Sequence, residues 1–145
     1  MIAAMFPGQG AQSVGMGQDL AGAYDVARRT FEEADDVLGY ALSEICFAGP
    51  AERLTATDVC QPALVATSVA AFRVAREEGL EAGLVLGHSL GEYSALVAAG
   101  AMDYAVALRI VAERGAALRD AGRAASRMAA PVSLTPLALP TTSEV

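Results

Sequence analysis

The 145-residue sequence contains no lysine and no tryptophan, a single histidine and only two cysteines. All ten basic residues are arginines, acidic residues number 17, and the net charge is -7. A chain with this balance does not neutralise phosphates broadly, so we do not expect nucleic acid as a partner. Two isolated cysteines are too few for a disulfide framework or a zinc site. Cys46 and Cys60 are therefore predicted to be buried free thiols, and no metal site is expected.

Segments that would direct the chain to export or into a membrane are also missing from the sequence. The N-terminus lacks a basic segment and its apolar run ends at Pro7-Gly8, which is not the pattern of a signal peptide. No apolar run reaches the length needed to cross a bilayer. We therefore expect a cytoplasmic protein with no membrane partner.

Apolar residues, in contrast, are abundant, and their distribution predicts an α/β fold. They make up 54% of the chain, against 19% charged residues, so the chain is expected to fold as one domain. Strand-like and helix-like segments alternate over residues 1–122, which predicts a short parallel sheet flanked by helices. Periodicity is lost after that, and three of the six prolines lie between Pro131 and Pro140. Residues 123–145 are therefore predicted to form a disordered tail.

Two short apolar runs predict the strands. The first runs from Ile2 to Phe6 and stops at Pro7, and the second, Val85-Leu86, leads into a Gly-x-Ser-x-Gly sequence. A continuous apolar run is typical of a parallel sheet that is covered on both faces, so we expect the first strand to be buried.

Helical periodicity accounts for most of the remaining residues up to 122. Helices are predicted at 24–38, 42–47, 57–78, 89–99 and 104–121, with a further turn at 51–54. Pro62 is assigned to the first turn of its helix, where its missing N–H costs nothing. Leu96 and Leu118 are expected on the buried faces of the last two helices. Arg114 falls at the edge of such a face; before other residues are considered, it is interpreted as a surface residue paired with an acid such as Glu113.

The segment Leu84 to Tyr93 has the layout of a nucleophile elbow. An apolar strand leads into Gly87-His88-Ser89-Leu90-Gly91, and a helical pattern follows. In such an elbow the serine has a strained backbone and an exposed hydroxyl, and the flanking glycines avoid crowding. N–H groups at the start of the helix would face an oxyanion formed at Ser89. An ordinary strand–helix turn is the alternative, and the flanking strand and helix weigh against it.

A second loop, residues 7–13, follows the first strand. It is unlike a phosphate loop, because it has no lysine and its glycine spacing does not fit a dinucleotide fingerprint. The two glycines around Gln9 would allow its backbone to approach a ligand closely. A plain turn is the alternative at this point.

Four motifs, taken in order and spacing, resemble a known enzyme family. They are Phe6-Pro7-Gly8-Gln9-Gly10-Ala11-Gln12, Gln61-Pro62-Ala63-Leu64, Gly87-His88-Ser89-Leu90-Gly91-Glu92-Tyr93-Ser94-Ala95 and Glu113-Arg114-Gly115. The family is malonyl-CoA:acyl carrier protein transacylase of bacterial type II fatty acid synthesis, to which acyltransferase domains of polyketide synthases are related. The resemblance covers about residues 1–122. The chain begins at the first strand without the linker expected after a ketosynthase, which favours a free-standing enzyme.

The resemblance implies roles for the matching residues. Ser89 would be the nucleophile, taking a malonyl group from coenzyme A as an ester and passing it to the pantetheine thiol of acyl carrier protein. The backbone N–H groups of Gln9 and Leu90 would form the oxyanion hole. Arg114 would bind the malonyl carboxylate, with Gln9 and His88 beside the substrate. Leu90 after the serine is usual in malonyl-selecting members. No cofactor is implied, since malonyl-CoA is the substrate.

The sequence departs from the family after Arg114. The family's general base is a histidine further downstream, whereas this sequence has only His88. We interpret His88 as a packing or hydrogen-bonding residue, because adjacent residues across a tight turn point in different directions. The small ferredoxin-like subdomain and the later elements of the large one are also absent. The expected fold is therefore an incomplete large subdomain, and the expected chain is a truncated one, with weak or no activity alone.

Three other functions are weighed against this one. The first is a catalytically inactive fragment that binds malonyl groups or acyl carrier protein, and the second is a trans-acting acyltransferase of polyketide synthesis. A serine hydrolase of another class would require a histidine after Ser89 in chain order, and the sequence has none.

Overall fold

The computed structural model describes residues 1–122, so the predicted tail at 123–145 lies outside the described residues. The described part has α/β architecture, as predicted. Its elements, in chain order, are β1 (Ile2–Phe6), α1 (Gln18–Ala23), α2 (Asp25–Leu38), α3 (Leu42–Ala48), α4 (Ala51–Thr55), α5 (Thr57–Glu77), β2 (Ala82–Gly87), α6 (Gly91–Ala98) and α7 (Tyr104–Gly122). Within it, none of the helices combines the length and apolar character needed to cross a membrane.

The two strands pair in parallel, as the alternation of strands and helices predicts. The register joins Phe6, the last residue of β1, to Gly87, the last residue of β2. Both strands therefore deliver the loops that follow them to one edge of the sheet. In open α/β sheets that edge is where ligands bind.

One face of this sheet is exposed, so the expectation of a strand covered on both faces is wrong. Met5 pairs with Leu86, and Ala3 with Leu84, which places these four side chains on a common face. Met5 is 76% exposed, and Leu84 and Leu86 are 48% and 44% exposed. The opposite face packs on helices, and there the Phe6 ring meets that of Phe72 edge-on at 5.7 Å. Apolar composition gives a strand the tendency to be buried, but only neighbouring elements can bury it.

The hydrophobic core lies among the helices. Residues of α2, α5 and α7 supply most of it, with a few side chains from α3 and α4. Members that are at most 2% exposed include Ala27, Phe31, Ala34, Leu42, Cys46, Leu54, Val59, Val65, Val69, Leu90, Leu108 and Val111. The buried thiols of Cys46 and Cys60 confirm the prediction for the cysteines.

The helix bounds follow the sequence pattern closely, but α1 and the position of Pro62 differ from it. Helix α1 was not predicted; it has only six residues, too few for an apolar pattern to repeat, and although Leu20 and Ala21 pack against the core, none of the six is fully buried. Pro62 is not in the first turn, because α5 begins at Thr57 and Pro62 is its sixth residue. At that position its missing N–H removes one bond of the helix ladder.

Two leucines expected in the core are 40% exposed. They are Leu96 of α6 and Leu118 of α7. Each recurs at helical spacing with buried residues, but its side of the helix meets no covering element in the described part of the chain. Periodicity gives the width of an apolar stripe and not the extent to which other elements cover it.

Candidate active site

Ser89 sits in a sharp turn between β2 and α6. Its φ angle is +52°, and within residues 1–122 it is the only residue other than glycine with a positive φ. An L-residue in this region costs roughly 1–2 kcal/mol. The strained elbow predicted from the sequence is therefore present, although α6 begins at Gly91 and not at the serine.

The two glycines that flank the serine are required by backbone packing. A Cβ on Gly87 would lie 2.2 Å from the carbonyl carbon of Gly91, and a Cβ on Gly91 would lie 2.2 Å from the carbonyl oxygen of Phe6. Both distances are far shorter than real Cβ contacts allow. The elbow thus packs directly against the end of β1, and the close approach explains the Gly-x-Ser-x-Gly spacing.

The N–H of Leu90 is left uncommitted by the turn. The next three N–H groups, of Gly91, Glu92 and Tyr93, donate to the carbonyl oxygens of His88, Ser89 and Leu90 at 2.9–3.2 Å. Leu90 itself donates none of the backbone hydrogen bonds found for the turns and loops of residues 1–122. Its side chain is buried in the core, which fixes the orientation of its backbone beside Ser89.

The loop after β1 lies against the elbow. A Cβ on Gly8 would stand 2.8 Å from the carbonyl oxygen of His88, so the two backbones touch. The Gly10 N–H donates to the Oε1 of Gln12 at 2.8 Å, which orders the loop from within. Gln9, between the two glycines, donates no hydrogen bond from its N–H in the part of the chain that the structure covers. Two uncommitted backbone donors therefore lie at the same edge of the sheet as Ser89.

His88 ties the elbow to β1. Its N–H donates to the carbonyl oxygen of Phe6 at 3.1 Å, and its Nδ1 would be 3.0 Å from a Cβ on Gly8. No hydrogen bond joins its imidazole to the hydroxyl of Ser89 among the described residues. This geometry agrees with a packing role, which stays a prediction.

Arg114 is half-buried on α7, as expected for the edge of a buried face. Its Nη1 donates to Oε1 of Gln61 at 2.7 Å. The expected pairing with an acid such as Glu113 is absent: no carboxylate of residues 1–122 forms a salt bridge with it. Its positive charge is thus not neutralised by a direct partner and is available to an anionic ligand.

Gln61 is the residue that the sequence reasoning missed. It is fully buried in α5, and while its Oε1 accepts from Arg114, its Nε2 has no hydrogen-bond partner among the described residues. The signal was its place at the start of Gln61-Pro62-Ala63-Leu64, a polar residue in a run that is otherwise apolar. Helical periodicity places it on a buried face but does not indicate which residue it contacts.

The two cysteines are poor candidates for a nucleophile. Burial raises the pKa of Cys46 to about 12 and that of Cys60 to about 11. For Cys60 the nearby Gly10 backbone opposes part of this rise in pKa, and this proximity places the Gln9 loop beside α5. Both thiols are protonated at neutral pH, and a protonated thiol is not the reactive form. Among residues 1–122, no cluster of three or more potential metal ligands is present.

Comparisons with known proteins agree on one family. A sequence model described as the acyl transferase domain matches residues 5–140. The malonyl CoA-acyl carrier protein transacylase of Escherichia coli (strain K12) is 49% identical over 121 residues, which are 83% of this chain and 39% of that protein. The chain thus spans about 39% of the length of this curated relative.

Solved structures give the same result. The acyl carrier protein S-malonyltransferase of Vibrio cholerae is 50% identical with a TM-score of 0.79, over 83% of this chain and 40% of that one. A malonyl-transacylase in complex with a type II polyketide synthase acyl-carrier protein is 51% identical, also with a TM-score of 0.79, over 83% and 39% of the two chains.

Proposed function

Since the chain belongs to the family of malonyl-CoA:acyl carrier protein transacylases, we propose that Ser89 takes a malonyl group from coenzyme A and passes it to the pantetheine thiol of an acyl carrier protein. The observation that carries the proposal is the elbow, where Ser89 at φ +52° adjoins the uncommitted N–H groups of Leu90 and Gln9. On this proposal residues 1–122 are the part of the domain that bears the nucleophile.

The reaction is a pair of acyl transfers through one ester. The Ser89 oxygen attacks the thioester carbonyl, the carbon–sulfur bond breaks, coenzyme A leaves as a thiolate, and the hydroxyl proton passes to a base. The carrier thiol then attacks the ester, and Ser89 regains a proton. Each tetrahedral intermediate bears an oxyanion, which the Gln9 and Leu90 N–H groups would stabilise. Loss of one such donor typically costs about 2.7–4 kcal/mol.

Arg114 would bind the malonyl carboxylate. A guanidinium can hold a carboxylate through two parallel hydrogen bonds, a geometry that lysine does not reproduce. The bond to Gln61 uses one N–H of Arg114 and leaves others for the ligand. The same interaction would select malonyl groups over uncharged acyl groups.

No residue of the described part is placed as a general base that could accept the proton of Ser89. The single histidine, His88, makes no hydrogen bond to Ser89 in the described residues. Serine is a weak nucleophile without an adjacent base. We therefore predict slow formation of the malonyl ester by this chain alone.

Intact-mass spectrometry of the chain after mixing with malonyl-CoA tests the proposal. One malonyl adduct should accumulate slowly, map to Ser89 by peptide analysis, and form faster with added imidazole as an external base. Ser89→Ala should show none. An adduct that persists in Ser89→Ala, or no adduct even with imidazole, would contradict the proposed function. Rapid stoichiometric labelling without imidazole would contradict only the prediction of slow turnover.

Binding without turnover is a second candidate function, favoured because no base within residues 1–122 is hydrogen-bonded to Ser89. In this case the chain would hold malonyl groups or an acyl carrier protein and form no ester. A pull-down against acyl carrier proteins of fatty acid and polyketide synthesis, combined with the mass measurement, separates the two functions. Retention of a carrier with no adduct supports binding alone. The preferred carrier would also distinguish fatty acid synthesis from polyketide synthesis.

A further inference from the structure

We propose that Gln61 is a positioning residue for Arg114 and thereby sets the preference of the site for acyl groups that carry a carboxylate. The proposal rests on the malonyl-transfer function above and adds to it a residue that never needs to touch the reacting atoms. It is carried by the burial of Gln61, the bond between its amide and the guanidinium, and the lack of an acidic partner for Arg114 within residues 1–122.

The orientation of the Gln61 amide is fixed by chemistry. A guanidinium has only N–H donors, so the amide oxygen must face it, and Oε1 accepts from Nη1 at 2.7 Å. The Nε2 group consequently points away from Arg114 and is buried with no partner among the described residues. A buried donor without a partner costs folding stability, which an apolar side chain of similar size would avoid. The hydrogen bond from Arg114 to the amide oxygen offers a reason for a glutamine at position 61.

The backbones of α5 and α7 are held close together beside this contact, at residues that precede Gln61 on α5 and follow Arg114 on α7. A Cβ on Gly115, the residue after Arg114, would lie 2.6 Å from the carbonyl oxygen of Thr57. Further along α7, Nη1 of Arg119 lies 2.7 Å from Oδ2 of Asp58. The Gln61–Arg114 bond thus joins two helices whose spacing is already set, so it can orient the guanidinium with little freedom left.

The partner of Arg114 is a neutral amide, so it does not cancel the charge of the guanidinium. Arg28, Arg73 and Arg119 each pair with a carboxylate, whereas Arg114 is held by an amide. A carboxylate at position 61 could accept the same hydrogen bond but would also cancel the charge that a malonyl carboxylate needs. Glutamine therefore holds the guanidinium in place and leaves its charge to the ligand.

The test compares the affinity of the full chain for malonyl-CoA and acetyl-CoA by titration calorimetry. Gln61→Glu keeps the shape and the acceptor but adds a charge, and Gln61→Met removes the acceptor without burying a charge. Gln18→Glu, at an exposed position of α1, controls for the added charge. We expect the wild-type chain and Gln18→Glu to prefer malonyl-CoA. Gln61→Glu should lose on the order of tenfold in malonyl-CoA affinity, with acetyl-CoA affinity unchanged. Gln61→Met should lose less.

Each outcome has a distinct meaning. Loss of the preference in Gln61→Glu or Gln61→Met, in a chain whose circular dichroism matches the wild type, supports the positioning role. An unchanged preference in a folded variant overturns it and leaves the proposed function intact. If Gln61→Glu does not fold, Gln61→Met decides alone. A wild-type chain that does not prefer malonyl-CoA overturns the positioning role together with the malonyl specificity on which it rests.

Discussion

The helices and the sheet of this protein contain the same kinds of apolar residue but bury them very differently. Leu108 and Val111 of α7 are fully enclosed by α2 and α5, whereas Leu84 and Leu86 of β2 stand on an exposed face of the sheet. The elbow bridges the two regions, since Leu90 is packed in the helical core and Ser89 is exposed next to it. The helical core therefore supplies the stability that maintains the strained turn.

The first prediction, with the largest expected effect, tests this contrast between the two regions directly. Leu108→Ala should lower the free energy of unfolding by about 2–5 kcal/mol, because it leaves a cavity in a closed core. The matched substitution Leu86→Ala should cost about 1 kcal/mol or less, because Leu86 is already 44% exposed and its loss leaves no closed cavity. Urea denaturation followed by circular dichroism measures both. Equal losses would mean that the sheet is as well packed as the helices.

The second prediction concerns the elbow, where the start of α6 packs against the end of β1. Gly91→Ala should cost about 1–3 kcal/mol, since its Cβ would meet the backbone of Phe6 and displace α6 from β1. Gly22→Ala, in α1 with open space around it, should be neutral or stabilising by about 0.5–1 kcal/mol. Urea denaturation measures the free energy of unfolding of both variants. A neutral Gly91→Ala would show that the elbow is not packed against β1.

The third prediction is that the same substitution, serine to glycine, changes the free energy of unfolding in opposite directions at two positions. Ser89→Gly should raise the free energy of unfolding by about 1 kcal/mol, because glycine accepts a positive φ without strain. Ser68→Gly, inside α5, should lower it by about 0.5 kcal/mol, since glycine is a poorer helix former than serine. Thermal unfolding of the two variants gives the comparison. Destabilisation by both substitutions would argue that the turn at Ser89 is unstrained.

The fourth prediction, with the smallest effect on stability, concerns the exposed face of the sheet. The double variant Leu84→Gln and Leu86→Gln should change the unfolding free energy by less than about 1 kcal/mol and should reduce self-association, because apolar surface of this kind favours it. Sedimentation velocity over a range of concentrations measures the monomer fraction. Val14→Gln, at an exposed valine before α1, is the control and should leave that fraction unchanged.

Much of the site was predictable because its geometry is local. The glycines around Ser89 and around Gln9 indicate tight turns, and the structure shows a strained turn at the first and a close approach of backbones at the second. The bounds of α2, α3 and α7 likewise follow from periodicity and from stop signals such as Gly39. The roles of Ser89, Gln9, Leu90, Arg114 and His88 stay predictions.

Other features could not be predicted from single segments. The exposure of Met5, Leu84 and Leu96 depends on which elements cover them, and an apolar pattern is the same whether or not a neighbour is present. Helix α1 has only six residues, so an apolar pattern has no room to repeat within it. The partner of Arg114 was expected to be an acid, and it is an amide from another helix.

The sequence by itself determined the turns, most helix boundaries and the position of the serine, because backbone preferences act over a few residues. Only the tertiary structure decided which apolar faces are covered and which side chain holds Arg114. Those outcomes depend on contacts between distant segments, as between Gln61 and Arg114, which are 53 residues apart. A guanidinium that binds an amide keeps its charge for a ligand, and nothing local to either residue specifies that pairing.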